Sequence, residues 1–180
     1  MHAWRESRIR LRRSIDPRCA AALVDSLYIP GAIWEPCAAK GSALADELER
    51  LLDEAVCRSS NALQKPPGVC RASVTNPPYG LPVCNQIVQH LRDCVADGEL
   101  DMAAILLRTQ WDHGKRRSRL LDHPPFAGSI RLRFRPWWWK TRRAQPIHDF
   151  QWLIFDRRHQ GEPIIRYWPR HDHAESALEL

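Results

Sequence analysis

Arg71-Ala72-Ser73-Val74-Thr75-Asn76-Pro77-Pro78-Tyr79-Gly80 is the stretch on which the reading of this chain turns. Its first half mixes small and β-branched residues and reads as a short strand, Arg71 to Thr75. Asn76 and two prolines then stop it, because a proline brings no N–H to a ladder. The strand therefore ends in an amide side chain, a carbonyl of fixed direction and an aromatic ring.

That combination suits one chemical problem. An amino group on a purine ring or an amide has a delocalised lone pair and is a poor nucleophile. Two acceptors aimed at its two N–H bonds hold it and favour a geometry with the lone pair directed at an electrophile. Asn76 offers its side-chain carbonyl and Pro77 its main-chain carbonyl, with Pro77 and Pro78 stiffening the turn. Tyr79 supplies a face on which a planar acceptor stacks. The work is positioning and electrostatic preorganisation, with no covalent intermediate. The plain alternative is a simple turn, since Asn-Pro and Pro-Tyr-Gly are common loop material. Context decides between them.

Upstream, Ala32-Ile33-Trp34-Glu35-Pro36-Cys37-Ala38-Ala39-Lys40-Gly41-Ser42 reads as a strand, a small-residue turn and a helix start. Small residues there let the backbone approach a ligand, and exposed amides at the helix N-terminus suit a carboxylate. A helix over Ser42 to Glu54 follows, with Leu44, Leu48, Leu51 and Leu52 on one face. An earlier helix is expected over 16–28, with Asp16-Pro17 as its cap and first turn.

Further along, Ala55-Val56-Cys57 reads as a short strand, and Leu81 to Ala96 as a helix. Met102 to Leu107 is an unbroken apolar run, as expected of a strand buried on both faces of a parallel sheet. Ser129 to Arg135 alternates, with Ile130, Leu132 and Phe134 on one face and arginines on the other. Phe150 to Asp156 and Ile164 to Trp168 complete the strands. Early alternation of strand and helix followed by strands alone argues for an α/β sheet, parallel first and antiparallel near its end. One domain over 1–180 is expected, with a basic extension at 1–15 and a loose tail at 170–180.

Apolar residues make up 44% of the chain, which excludes a disordered class. Six cysteines without a paired spacing read as reduced thiols. The start, MHAWRESRIRLRR, is not followed by an apolar run, and Met102 to Leu107 is far too short to span a bilayer. A cytoplasmic protein without membrane association is the expectation. His171-Asp172-His173, in a polar tail, is not read as a metal site.

Charge is concentrated. Arg108 to Arg143 holds eleven Lys or Arg against two Asp, an excess larger than the +6 of the whole chain. A local basic patch of this kind faces a polyanion or forms a solvated loop face. Tryptophans interleave with the cations at Trp137-Trp138-Trp139-Lys140, and rings stack on bases while arginines meet phosphates. Arg108, Lys115, Arg116, Arg117, Arg135, Trp138, Lys140, Arg142 and Arg143 are the candidate nucleic-acid contacts.

On Trp34 to Gly41 and Val74 to Gly80, the chain resembles class I S-adenosylmethionine-dependent methyltransferases of the N6-adenine type. It is most similar to the small forms of phage and prophage genomes, in which a Trp-Glu-Pro-Ala-Ala-Gly-x-Gly-like loop precedes Thr-Asn-Pro-Pro-Tyr. The resemblance extends to Asp16-Pro17, Ala104 to Arg108, Arg117 to Leu121 and Phe150 to Arg157. It implies a Rossmann-like sheet, mostly parallel with an antiparallel C-terminal strand pair, and S-adenosylmethionine as cofactor. Pro17, Trp34, Glu35, Pro36, Ala38, Ala39, Lys40, Gly41, Ser59 and Asn76 would hold the donor, with Glu35 meeting its methionine ammonium. Asn76, Pro77, Pro78 and Tyr79 would be catalytic, and DNA the partner.

Two departures stand out: Ala39 replaces a glycine, and no acid follows the second strand, where Ser59 would meet the ribose. Three readings remain open at this point. One is an adenine-N6 DNA methyltransferase; a second applies the same chemistry to RNA adenine or protein glutamine. The third is an inactive methyltransferase fold that binds nucleic acid or a partner. With no recognition domain visible, target choice is either loose or supplied by a dimer or partner subunit.

Overall fold

Asp16 starts the first helix, α1 (Pro17–Ser26), by accepting from the Arg18 backbone N–H at 3.1 Å, while Pro17 sits at the first helical position. The computed structural model describes residues 15–38, 41–137 and 147–169. The expected tail at 170–180 and the basic extension, apart from Ile15, lie outside the described residues. Ile15 itself is buried in the core.

From α1 the chain runs through β1 (Ala32–Glu35), α2 (Ala43–Leu52), β2 (Val56–Arg58) and β3 (Cys70–Thr75). It continues through α3 (Leu81–Ala96), β4 (Met102–Arg108), a one-turn helix α4 (Ser118–Leu121), β5 (Phe126–Leu132), β6 (Phe150–Asp156) and β7 (Ile164–Trp168). The strands form one seven-stranded sheet in the order β2-β1-β3-β4-β6-β5-β7. Every neighbouring pair is parallel except where β6 enters, antiparallel to both β4 and β5. The α/β sheet, mostly parallel with an antiparallel pair near the C-terminus, is thus the observed architecture. The last strand, β7, runs parallel to β5 at the edge.

Two apolar cores clamp the sheet. One joins α1 and α2 to the face carrying Ile33, Ala72, Val74, Ala104, Leu106, Ile130 and Trp152. The other joins α3 to the opposite face, with Trp34, Ala103, Ile105, Leu107, Leu153 and Phe155. The switch of sides has a topological cause. From β1 the chain steps outward to β2, then crosses back past β1 to β3, so right-handed crossovers put α2 and α3 on opposite faces. The strand order reverses between β1 and β3, and open α/β sheets have their ligand crevice outside the carboxyl ends of the strands at such a switch point.

One boundary differs from the alternating pattern. The strand expected over 129–135 is β5, and it begins at Phe126 and ends at Leu132. Gly128, at φ 127°, makes a bulge that brings Phe126 into register with β6. At the other end Arg133 donates to the Trp168 carbonyl at 2.7 Å, and Pro169 then has no N–H to prolong the ladder. A Cβ on Gly128 would meet the Ile164 carbonyl oxygen at 2.0 Å. Gly128→Ala is therefore expected to dislodge β7 and cost roughly 1–3 kcal/mol, read as a lowered urea midpoint.

Candidate active site

Glu35 ends β1 at the crevice and is buried, 2% exposed. The Ser42 hydroxyl lies 2.9 Å from one carboxylate oxygen and 2.7 Å from the other. Ser42 also caps α2, accepting from the Ala45 N–H at 3.4 Å, so the acid and the helix start are fixed together. Burial pushes the Glu35 carboxyl up to about 7, against the opposing pull of Ser42 and Arg58. Arg58, whose charge favours the Glu35 carboxylate, is already taken: it binds Asp46 at 2.8 Å and Glu49 at 2.5 Å.

Around this acid the backbone is drawn tight. The Glu35 carbonyl accepts from the Ser59 N–H at 3.0 Å, tying the ends of β1 and β2 together. Pro36 and Ala38 are buried, and Gly41, at φ 78°, has nothing within 4 Å of where a Cβ would stand. Trp34 is fully buried in the second core. Pro17 is exposed at the start of α1. Ala39 and Lys40 lie outside the described residues. The position after β2 carries no acid, and Ser59 uses its hydroxyl to accept from the Asn61 N–H at 3.0 Å.

At the end of β3, Asn76 is half-buried, Pro77 buried, and Pro78 and Tyr79 half-buried. The Tyr79 hydroxyl donates to Asn76 Oδ1 in a short hydrogen bond. The Tyr79 ring is held by Phe150, with centroids 5.5 Å apart, and by the Arg108 guanidinium 5.7 Å from its centroid. Beside the ring opens a cavity of about 310 Å³, lined by Tyr79, Leu81, Cys84, Leu107, Arg108, Gln110, Trp111 and Arg117. Trp111 is anchored from below, its indole N–H donating to Asn85 Oδ1 at 3.1 Å. Arg117 lies 4.7 Å over the Trp111 ring.

The basic residues expected to grip nucleic acid separate into groups. Arg108 and Arg117 meet at the cavity, each stacked on an aromatic ring. Lys115 is exposed on the same connection. Arg135 is exposed and paired with Asp149 at 2.9 Å, and the Asp149 carbonyl accepts from the Thr109 N–H, so this pair stands at the same end of the sheet. Trp138, Lys140, Arg142, Arg143 and the Arg116 side chain lie outside the described residues.

No protein-family model matches the chain, and no curated protein matches it by sequence. Among solved structures it is similar to a predicted O-methyltransferase from Agrobacterium tumefaciens, at 14% identity over 84% of this chain and 85% of that one, TM-score 0.46. It is also similar to the 23S rRNA methyltransferase ErmE, at 16% identity over 82% and 68% of the two chains, TM-score 0.43. A third is a SAM-dependent O-methyltransferase from Thermotoga maritima, at 12% identity over 81% and 67%, TM-score 0.40. With identities and TM-scores this low, the reading of the site rests on this chain's own residues.

Several of those residues are silent in the sequence. Trp111, Gln110, Leu107, Leu81 and Cys84 line the cavity only because α3 and the turn after β4 converge on Tyr79. Ser42 reads as a helix cap, and its second task, holding Glu35, needs the fold. All six cysteines are free thiols, and Cys84 is pushed up to about 11 by burial. Among the described residues no cluster suits a metal ion, and no helix is long and apolar enough to cross a membrane.

Proposed function

We propose that this chain transfers a methyl group from S-adenosylmethionine to an amino nitrogen, with N6 of adenine in DNA as the acceptor. The observation that carries the proposal is the placement of Asn76, bonded to Tyr79 beside the cavity, at the end of β3, with Glu35 at the end of the neighbouring strand β1.

The donor's chemistry fits the residues present. Glu35 is a buried carboxyl with no unpaired cation beside it among the described residues, and the donor's ammonium supplies one. The open space at Gly41 and the amides that begin α2 suit the donor's carboxylate. The main chain of Trp34 to Ala38, together with Ser59, would border the nucleoside part, with Pro17 beside it. When bound, the donor supplies a methyl group activated by a sulfonium.

On the acceptor side, Asn76 Oδ1 and the Pro77 carbonyl receive the two N–H bonds of the amine. Tyr79 and Trp111 present rings to a planar base, and Leu81, Cys84 and Leu107 exclude water. A duplex base would have to leave its stack to reach this depth. Arg108 and Arg117, at the cavity, and Lys115 suit the phosphates on either side, which favours a nucleic-acid acceptor over a protein side chain.

In the free protein Tyr79 occupies the very oxygen that the amine must use. Tyr79→Phe removes that competitor and keeps the ring. Acceptor KM is expected to fall severalfold with kcat nearly unchanged, following the roughly 1 kcal/mol net value of one hydrogen bond. Steady-state kinetics with a labelled donor checks it; a large fall in kcat would instead give the hydroxyl a role in transfer.

A second reading has one observation in its favour. The end of β2 carries Arg58, locked to Asp46 and Glu49, in place of an acid. A module that binds nucleic acid without a donor would show this. Calorimetry with S-adenosylmethionine decides: no heat at millimolar donor overturns the enzyme reading. Given binding, labelled methyl transfer to unmethylated DNA, RNA and protein extract names the acceptor.

A further inference from the structure

We infer that the open face of β5 and β7 is a platform for single-stranded nucleic acid, leading away from the cavity; this rests on the nucleic-acid reading above. The sheet register carries the argument. Leu107 lies opposite Gln151, Gln151 opposite Arg131, and Arg131 opposite Tyr167. These four side chains share one face and form a row across β4, β6, β5 and β7. Leu107, at one end, lines the cavity. Three strand spacings separate it from Tyr167, about 14 Å.

Cover falls away along the row. Leu107 and Gln151 are fully buried, Gln151 under Asp112, to which its amide donates at 2.9 Å. Arg131 is half-buried, and Tyr167 is 42% exposed, with Ile165 beside it at 52%. The cause is the connection from β4 to β5, whose only α-helix is the four residues of α4. Too short to reach across the sheet, it leaves the β5–β7 side of this face open among the described residues.

What remains uncovered has the chemistry of a strand-binding surface. The Arg133 guanidinium stacks 4.9 Å from the centroid of the Tyr167 ring. Neither it nor Arg131 pairs with an acid among the described residues, and Arg131 Nε is buried without a hydrogen-bond partner among them. An aromatic ring flanked by unpaired guanidiniums on a flat sheet takes a base on the ring and phosphates on the cations. An apolar protein partner would leave those two charges buried and unmatched. A strand whose target base sits against Tyr79 thus meets Tyr167 a few nucleotides away.

The test uses the full chain and a fluorescein-labelled single-stranded DNA twelve nucleotides long containing adenine, followed by anisotropy. Tyr167→Ala is expected to weaken binding roughly five- to hundredfold, and Tyr167→Phe to leave it nearly unchanged. Arg133→Ala is expected to weaken binding and to reduce the salt slope by roughly 0.7, a change Tyr167→Ala does not produce. Circular dichroism and melting of each variant separate lost contact from lost fold, and Tyr167→Phe guards against the latter. If the wild type binds and methylates the oligonucleotide while Tyr167→Ala and Arg133→Ala bind it equally well, the platform is wrong and the proposed function stands. If the wild type neither binds nor methylates it, the nucleic-acid acceptor itself fails.

Discussion

Asn76→Ala is expected to lower kcat for methyl transfer roughly 10²–10³-fold while leaving donor affinity within a factor of a few. The size follows from what the residue does. The amide oxygen of Asn76 is held at the end of β3 by a strand paired on both sides and by a proline turn that cannot flex. In the proposed reaction it is thus preorganised to accept an N–H from the amine, and that bond would strengthen as the nitrogen turns positive in the transition state. Alanine removes the acceptor and replaces it with nothing.

The Tyr79 ring should survive this change. It keeps its contacts with Phe150 and Arg108, so the stacking face and the acceptor's KM are largely retained. Asn76 is half-buried, and its side chain accepts from the Tyr79 hydroxyl, which can turn to water. Loss of stability should therefore stay near 1 kcal/mol. Single-turnover transfer with labelled donor, paired with donor calorimetry, separates the two effects. A variant that still transfers at the wild-type rate removes Asn76 from the chemistry.

Much of this was legible in the chain, for particular physical reasons. The elements declared themselves where periodicity and caps agree: Asp16-Pro17 and Ser42 at helix starts, the continuous apolar run of β4, the alternation of β5. Boundaries slipped where a single glycine governs the backbone. Gly128 looks like a strand end in sequence, yet it is the bulge that lets β5 begin at Phe126. The Asn-Pro-Pro-Tyr loop and the Glu35 loop were visible as motifs because the chemistries proposed for them need unusual residues at fixed spacing. The cavity wall was not, because Leu107, Cys84 and Trp111 are ordinary core residues until tertiary packing places them beside Tyr79. The open face of β5 and β7 was hidden for a similar reason. Arg131 and Arg133 read only as the face opposite Ile130 and Leu132, and the register is what reveals Tyr167 as their neighbour.

Glu35→Gln is the second large effect, and it should move stability and donor binding in opposite directions. Burial raises the Glu35 carboxyl from an ordinary 4.5 to about 7, so the folded chain holds a proton that the unfolded chain has released between those values. In that window the unfolded state binds fewer protons, and stability falls as pH rises. The contribution is intact below 4.5 and is lost as pH passes 7, amounting to about 3 kcal/mol. Glutamine is neutral at every pH, keeps the shape, and can still pair with Ser42. At about pH 8 the variant should therefore be the more stable protein, by up to about 3 kcal/mol, and near pH 4 the two should converge.

Donor binding reverses the order. The ammonium of S-adenosylmethionine needs the charged carboxylate, so wild-type affinity should climb about tenfold per unit up to roughly pH 7 and then level. At about pH 6 binding should release close to one proton, measurable by calorimetry in buffers of different ionisation enthalpy. Glu35→Gln should bind roughly 30-fold more weakly at about pH 8, with little dependence on pH and no proton release. A site acid kept charged without its partner costs the free protein stability, which the donor returns on binding. Wild-type affinity that is flat from about pH 5.5 to 8 would show that Glu35 does not hold the ammonium.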